Sequence, residues 1–322
     1  MNMNMNERFL KKYQPHRFDD FVYDKSYIKL LKSLIKMDSL NMLLIGNNGV
    51  GKTSLLNAII REYYNTDKLP LNNVLVINNL KEQGIHYYRN QLKTFCQTAS
   101  SVKNKKKIII LDDLDFIHKQ SQQVFRNCID KYSHKVNFIA SCNNIQKIIE
   151  NIQSRCNIIK VPVLNKTKLN LIIDNIISNE KIQINKKVKN TIIKISNGSI
   201  RLIINYLEKF KLLDYPINEK NVIDICTNIS YSEFITYTKE WYINRNLQKS
   251  IKTIFNIYKK GYSVIDILDN YFNFVKYTDL IDQTDKFAIT KIISTYISIF
   301  YTIHEKEIEL ALFTNNLIQN II

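Results

Sequence analysis

The residues best equipped for chemistry are Gly46-Asn47-Asn48-Gly49-Val50-Gly51-Lys52-Thr53, followed by Ser54. Gly, four residues, then Gly-Lys-Thr is the spacing of a loop that cradles phosphate. Glycines let the backbone curl until its N–H groups face phosphate oxygens, and a following helix N-terminus adds a favourable field. Lys52 would neutralise charge on the β- and γ-phosphates, and Thr53 would present a hydroxyl to Mg²⁺. A second candidate is Asp112-Asp113-Leu114-Asp115, directly after the apolar run Ile108-Ile109-Ile110-Leu111. Asp112 would hold the metal through water, and Asp113 could polarise an attacking water. Alternatively these acids merely begin the next helix, where they suit its dipole. Asn143 follows a third apolar run and could orient water, although Asn is also common in turns. Arg201 falls in the first turn of a helix, where a cation opposes the dipole, so it has an external anion partner or is a surface Arg.

These groups need a scaffold, and the sequence predicts one. Leu43 to Ile45 reads as a buried strand and Ser54 to Tyr64 as a helix with apolar residues at helical spacing. Further strands are expected at 73–77, 108–111, 136–141 and 157–161, with helices at 26–37 (capped by Ser26), 85–98 and 121–132. Alternating strands and helices predict a parallel five-stranded sheet with helices on both faces and its ligand at the strand C-termini. Residues 8–21 form an extended lead-in, because Pro15 stops a helix. Lys103 to Lys107 is expected as a solvated basic turn. After Pro162 the pattern becomes helical: 167–179, 186–196 and 200–210, then 247–258, 263–276 and 285–303. The last group is apolar around most of its circumference, as in a bundle or an oligomerisation collar. The expected domains are 1–162 for nucleotide binding, 163–222 as a helical lid and 223–322 as a helical collar.

Composition narrows the partners. The 46 Lys+Arg against 29 Asp+Glu give a net charge of +17, which favours a polyanion, nucleic acid first. Abundant Lys, Asn and Ile offer a second source for that charge, a composition typical of AT-rich genomes. Five dispersed cysteines have no metal-ligand spacing and suggest a reducing compartment. No apolar run reaches membrane-spanning length and the start is polar, so a soluble, intracellular protein is expected.

Laid end to end, these motifs resemble a small subunit of replication factor C, the sliding-clamp loader of the AAA+ class. Lys12-Tyr13-Gln14-Pro15 is similar to the family's Glu-Lys-Tyr-Arg-Pro. Gly84-Ile85, Arg89, Leu92-Lys93 and Phe95 resemble the stretch before its Asp-Glu-Ala-Asp box, whose place Asp112-Asp113-Leu114-Asp115 takes. Phe138 to Asn143 resembles the sensor-1 strand. Ser154-Arg155-Cys156 matches the Ser-Arg-Cys motif, Gly198-Ser199-Ile200-Arg201 resembles sensor 2, and Gly261-Tyr262-Ser263 matches the collar. The resemblance implies ATP and Mg²⁺ as cofactors, bound between neighbouring subunits of a hetero-pentamer that opens a sliding clamp on primer–template DNA. It implies that Tyr13, Pro15 and Val22 line the nucleotide, and that Asn143 and Arg201 sense its γ-phosphate. Arg155 would be a finger offered to the next subunit's ATP, and Arg89 and Lys93 would touch the DNA backbone. The compartment expected is the nucleus, or a viral replication site if the AT-rich bias reflects a large DNA virus.

Departures qualify that expectation. Asp113 stands where the family has Glu, one methylene longer, so hydrolysis could be slow or absent. Gln14 replaces an Arg, and Tyr23 replaces a Gly beside the adenine. Three alternatives follow: an ATP-binding structural subunit, another AAA+ machine such as a helicase loader or junction motor, and a helical scaffold with an accidental loop.

Overall fold

A computed structural model describes residues 8–77, 85–213, 217, 222, 225–227, 229–300 and 303–321, without the side chains of 85–88. The polar start at 1–6, the loop at 78–84, the side chain of Tyr88 and the connector around Tyr215-Pro216 and Asn218 lie outside the described residues. The chain divides into two compact units, Met1–Ile182 with Ser196–Leu212, and Gln183–Ile195 with Leu213–Ile322.

The first unit is built on a five-stranded, all-parallel sheet: β1 (Met42–Ile45), β2 (Val74–Ile77), β3 (Lys107–Leu111), β4 (Val136–Cys142) and β5 (Asn157–Lys160), in the order β2-β3-β4-β1-β5. Strand residues alternate between two apolar cores, as the period-2 pleat requires. On one face Leu44, Ile108, Ile110 and Ile139 pack with Leu31 of α2 (Lys25–Lys36) and Leu55, Ile59 and Tyr63 of α3 (Lys52–Tyr64). On the other, Leu43, Ile109, Leu111 and Phe138 pack with Leu92 of α4 (Ile85–Gln97) and Phe125 and Ile129 of α5 (Lys119–Tyr132). Burial on both sides explains why the strands read as continuous apolar runs. Short α6 (Glu150–Gln153) precedes β5. The unit is completed by α1 (Phe9–Lys12), α7 (Lys166–Glu180) and α9 (Ile200–Lys211).

The second unit is helical among the described residues: α8 (Lys186–Ile195), α10 (Tyr231–Thr238), α11 (Leu247–Tyr258), α12 (Val264–Tyr277), α13 (Gln283–Ile299) and α14 (Ile308–Ile321). Its core gathers Phe234, Tyr237, Trp241, Tyr271, Phe274 and Phe313. The Tyr271 hydroxyl accepts a hydrogen bond from Trp241 Nε1 at 3.0 Å, so these large rings bury their polar atoms satisfied.

Three local expectations are corrected. Asp24, not Ser26, occupies the N-cap of α2, and Ser26 lies inside the helix. The lead-in is not wholly extended: Phe9–Lys12 forms a helical turn that ends before Pro15. Lys107 is not a solvated turn residue. It opens β3 with 3% exposure, and its ammonium lies 4.4 Å from the Phe95 ring centroid and donates to Phe95 O at 3.1 Å. Cation–ring attraction and a carbonyl acceptor offset the desolvation of that charge.

Candidate functional site

Gly46 to Thr53 joins the end of β1 to the start of α3. Gly49 and Gly51 have φ of 76° and 99°, a region that residues with a Cβ rarely enter. The loop therefore bends back on itself, and Lys52, 6% exposed, folds under it. Its ammonium donates to Gly46 O at 2.9 Å, Asn47 O at 3.1 Å and the Asn143 side-chain Oδ1 at 2.6 Å. Burial lowers the Lys52 pKa, opposed by the charges of Asp113, Asp112 and Asp115.

The acidic end of β3 meets this loop. Thr53 Oγ1 donates to Asp112 Oδ2 at 2.9 Å. Ser141 Oγ donates to the other oxygen, Asp112 Oδ1, at 2.5 Å and accepts from the Asp113 backbone N–H at 3.0 Å. Asp115 Oδ2 accepts from the backbone N–H groups of Asn143 and Asn144 at 3.2 and 3.3 Å. That carboxylate fixes the turn after β4 which presents Asn143 to Lys52. Asp113 itself sits at φ 54°. Burial, then the neighbouring Asp112 charge, raises its pKa, while Lys52 pulls it down.

Lys52, Thr53, Ser54 and Asp113 face a cleft of about 690 Å³, within the roughly 300–1,000 Å³ of small-molecule sites. Asn48, Gly49, Val50 and Gly51 line it from the loop, and Arg201 from the first turn of α9. The Arg201 N–H donates to Gly49 O at 3.3 Å, tying that helix to the loop. The lining also has an apolar, aromatic part: Tyr13, Pro15, Val22, Tyr23, Ile172 and Ile204. Tyr23 stacks on Phe21 with ring centroids 5.3 Å apart and points its hydroxyl at Val50 O, 3.4 Å away. One cleft thus combines the cations Lys52 and Arg201 with apolar and aromatic side chains, the two kinds of surface that a nucleotide's phosphates and base require.

Mg²⁺ fits these donors. Thr53 and Asp112 offer hard oxygens side by side at the strand end, and Mg²⁺ takes one or two such ligands alongside water and phosphate. The described residues contain no cluster of three His, Cys, Asp or Glu that could hold a metal by itself.

Gly46, Asn47, Asp112 and Asn143 belong to the loop or bond to it without lining the cleft, and Arg155, Arg89 and Lys93 neither line the cleft nor bond to the loop. Arg155, after α6, pairs with Asp130 of α5, Nε to Oδ1 at 2.5 Å, and donates to Asn151 O at 2.8 Å. Arg126 shares the same carboxylate at 3.1 Å. Arg89 and Lys93 are exposed on α4. Sequence reasoning missed Ser141 and the turn-fixing role of Asp115. A hydroxyl at the end of an otherwise apolar strand was the available signal for Ser141. Among the described residues, no helix is long and apolar enough to cross a membrane.

Comparison with known proteins identifies the family. Residues 42–163 match the family model described as "ATPase family associated with various cellular activities (AAA)". A protein of Acanthamoeba polyphaga mimivirus, provisionally named a replication factor C small subunit, is 31% identical over 273 residues, 84% of each chain. The replication factor C small subunit of Methanococcus vannielii is 31% identical over 237 residues, 73% of this chain and 74% of its own. Human replication factor C subunit 5 is 26% identical over 285 residues, 88% of this chain and 83% of its own. Among solved structures, the Thermotoga maritima RuvB Holliday junction branch migration motor superposes with a TM-score of 0.52 at 16% identity, covering 75% of this chain and 85% of that one, a likeness of fold. With that identity sustained over most of both chains, the protein belongs to the replication factor C small-subunit family of the AAA ATPases.

Proposed function

We propose that the chain is an ATP-binding subunit of a clamp loader, a complex that opens a sliding clamp and places it on primer–template DNA. The observation that carries this reading is the pair of contacts Lys52–Asn143 and Thr53–Asp112, which ties the carboxylate at the end of β3 and the amide at the end of β4 to the phosphate loop. The relatives' names supply the clamp-loader role. Loop N–H groups, Lys52 and Arg201 bind the triphosphate, and the apolar part takes the base. Mg²⁺, held by Thr53 and Asp112, would neutralise phosphate charge as it shifts toward the leaving group. Asp113 accepts a proton from the attacking water, and Asn143 orients it. Arg155 leaves Asp130 for the nucleotide of a neighbouring subunit, and Arg89 and Lys93 contact DNA phosphates, making binding salt-sensitive.

The test is the assembled complex with Lys52→Ala in this chain. Clamp retention and primed-DNA-stimulated ATP turnover should both fall. Unchanged nucleotide binding in Lys52→Ala would sink the site, and failure of the unmutated complex to retain a sliding clamp would move the chain to another class of AAA machine.

A second reading is favoured by one residue. Asp113 is a methylene shorter than Glu and is held in a left-handed backbone conformation. In that reading the subunit binds ATP and hydrolyses it slowly, its contribution being Arg155 and assembly. Asp113→Glu separates the two, since a rise in turnover identifies the short carboxylate as limiting.

A further inference from the structure

A buried carboxylate outside the phosphate machinery gathers three donors. Glu180 is the last residue of α7, and its side chain is 3% exposed. It accepts from Lys12 Nζ at 2.5 Å and Tyr13 OH at 2.7 Å on Oε1, and from Lys211 Nζ on Oε2. Lys12 and Tyr13 belong to the lead-in; Lys211 ends α9. An ionised acceptor shared by two ammonium groups and a phenol forms strong, short contacts. Nearby, the Phe9 N–H donates to Glu208 Oε1 at 3.1 Å, and the Phe9 ring meets the Tyr13 ring edge-on at 5.6 Å. The lead-in is thus docked on α7 and α9 by polar contacts.

From that anchor the chain runs along the cleft. Tyr13, Gln14, Pro15 and His16 all line it, and Gln14 Nε2 donates to Ser54 Oγ at 3.3 Å, beside the phosphate loop. The segment is a strap held by Glu180 behind it and Ser54 ahead, with His16 fixed beyond by Arg61 Nη1 donating to its carbonyl at 3.3 Å and its own N–H donating to Asp20 Oδ2 at 2.9 Å. Ile172 and Ile176 of α7 line the same cleft. Pro15 limits the strap's own freedom, but nothing in residues 13–16 forms regular structure that would hold it in place.

We propose that Glu180 is a positioning residue for nucleotide recognition: it pins the Lys12–Pro15 strap against the base and ribose end of the cleft. This rests on the nucleotide reading above. It assigns to one carboxylate the task of keeping the apolar part closed over the base, independently of the phosphate contacts. Glu180 acts through Tyr13 and Pro15 and does not touch phosphate.

The experiment compares two probes, ATP and inorganic tripolyphosphate, binding with Mg²⁺ to the full chain. Glu180→Ala should weaken ATP about tenfold, the scale of charge-assisted hydrogen bonds lost. Tripolyphosphate, which has no base or ribose, should bind within about twofold of wild type. Tyr13→Phe, which keeps the ring and removes one hydrogen bond, should shift ATP in the same direction by less, and the double variant should fall short of the product of the two effects. Trypsin should cut after Lys11 or Lys12 faster in Glu180→Ala, with more ATP needed for protection than in wild type. Should Glu180→Ala fail to fold, Tyr13→Phe carries the same ATP-against-tripolyphosphate comparison. Equal weakening of both probes, or no weakening of ATP, overturns the proposal. Lys52→Ala keeps the two failures apart: if it leaves both probes bound, the nucleotide reading itself fails.

Discussion

Gly49→Ala is the sharpest steric test of the cleft. A Cβ built on Gly49 would lie 2.1 Å from Ser199 Oγ, 3.2 Å from Ser199 Cβ and 3.4 Å from Arg201 Cβ. The φ of 76° adds left-handed strain of roughly 1–2 kcal/mol for an L-residue. Rotating Ser199 away relieves the closest contact but gives up its cap on α9, where Ser199 Oγ accepts from the Leu202 N–H at 3.4 Å. Loss of a Ser cap costs about 1 kcal/mol. The sum is about 2–3 kcal/mol, a fall in Tm of roughly 5–10 °C for a unit of this size. Because the displaced helix carries Arg201, ATP affinity should fall as well. Thermal melts and nucleotide titration of Gly49→Ala and Gly49→Ala/Ser199→Gly provide the assay. Glycine at the cap loses only a few tenths of a kcal/mol, so the double variant should regain the steric part and keep the backbone strain. A single variant that melts like wild type, or a double variant no better than the single, refutes the loop-to-α9 contact as the cause.

Other perturbations separate the remaining groups. Asp113 has a raised pKa, so at neutral pH its charge costs stability that is recovered as pH falls through the folded value. Without Mg²⁺ and nucleotide, Asp113→Asn should therefore raise Tm at pH 7, while in the assembled complex it should abolish turnover. A lower Tm in Asp113→Asn would contradict the crowded-carboxylate account. Glu180 is held down to about 2 by Lys12, Lys211 and Tyr13, which together outweigh its burial. Its stabilisation is present above the unfolded carboxylate pKa and lost as pH falls toward 2. The Tm gap between wild type and Glu180→Gln should accordingly close in acid, and a gap constant from pH 7 to pH 3 would remove the charge from the explanation. Arg155→Ala should leave ATP binding by this chain intact while lowering turnover of the assembled complex. Ser141→Ala should weaken Mg²⁺-dependent ATP binding by freeing Asp112, with Mg²⁺-independent binding little changed.

Much of the site was legible because its chemistry is local in sequence. Gly46 to Thr53 and Asp112 to Asp115 each sit at a strand end, and an apolar strand followed by polar groups marks such ends. The sheet was legible for the same reason: Ile108 to Leu111 is buried on both faces and so has no polar alternation. Glu180 was not legible. Its partner Lys12 lies 168 positions away, and an acid at a helix end has ordinary surface explanations. Lys107 misled because four of the five residues 103–107 are Lys, and composition could not show that Phe95 lies over the last. Ser26 was read as a cap on residue type, while the backbone turns helical one residue earlier, after Asp24.

The sheet order carries a consequence for biosynthesis. β1, whose end becomes the phosphate loop, lies between β4 and β5, with Met42 paired to Ile139 and to Asn157. Both partners are roughly a hundred residues downstream, the long-range pairing that slows folding. A ribosome adding about 5–20 residues per second leaves Met42 to Ile45 unpaired for several seconds at least. During that interval an apolar strand and a glycine loop have neither neighbour strand, and only α2 and α3, packed on one face, can shield them. Translational pausing between β1 and β4 would lengthen this exposure, so yield of the chain should respond to codon usage in that window more than after β5.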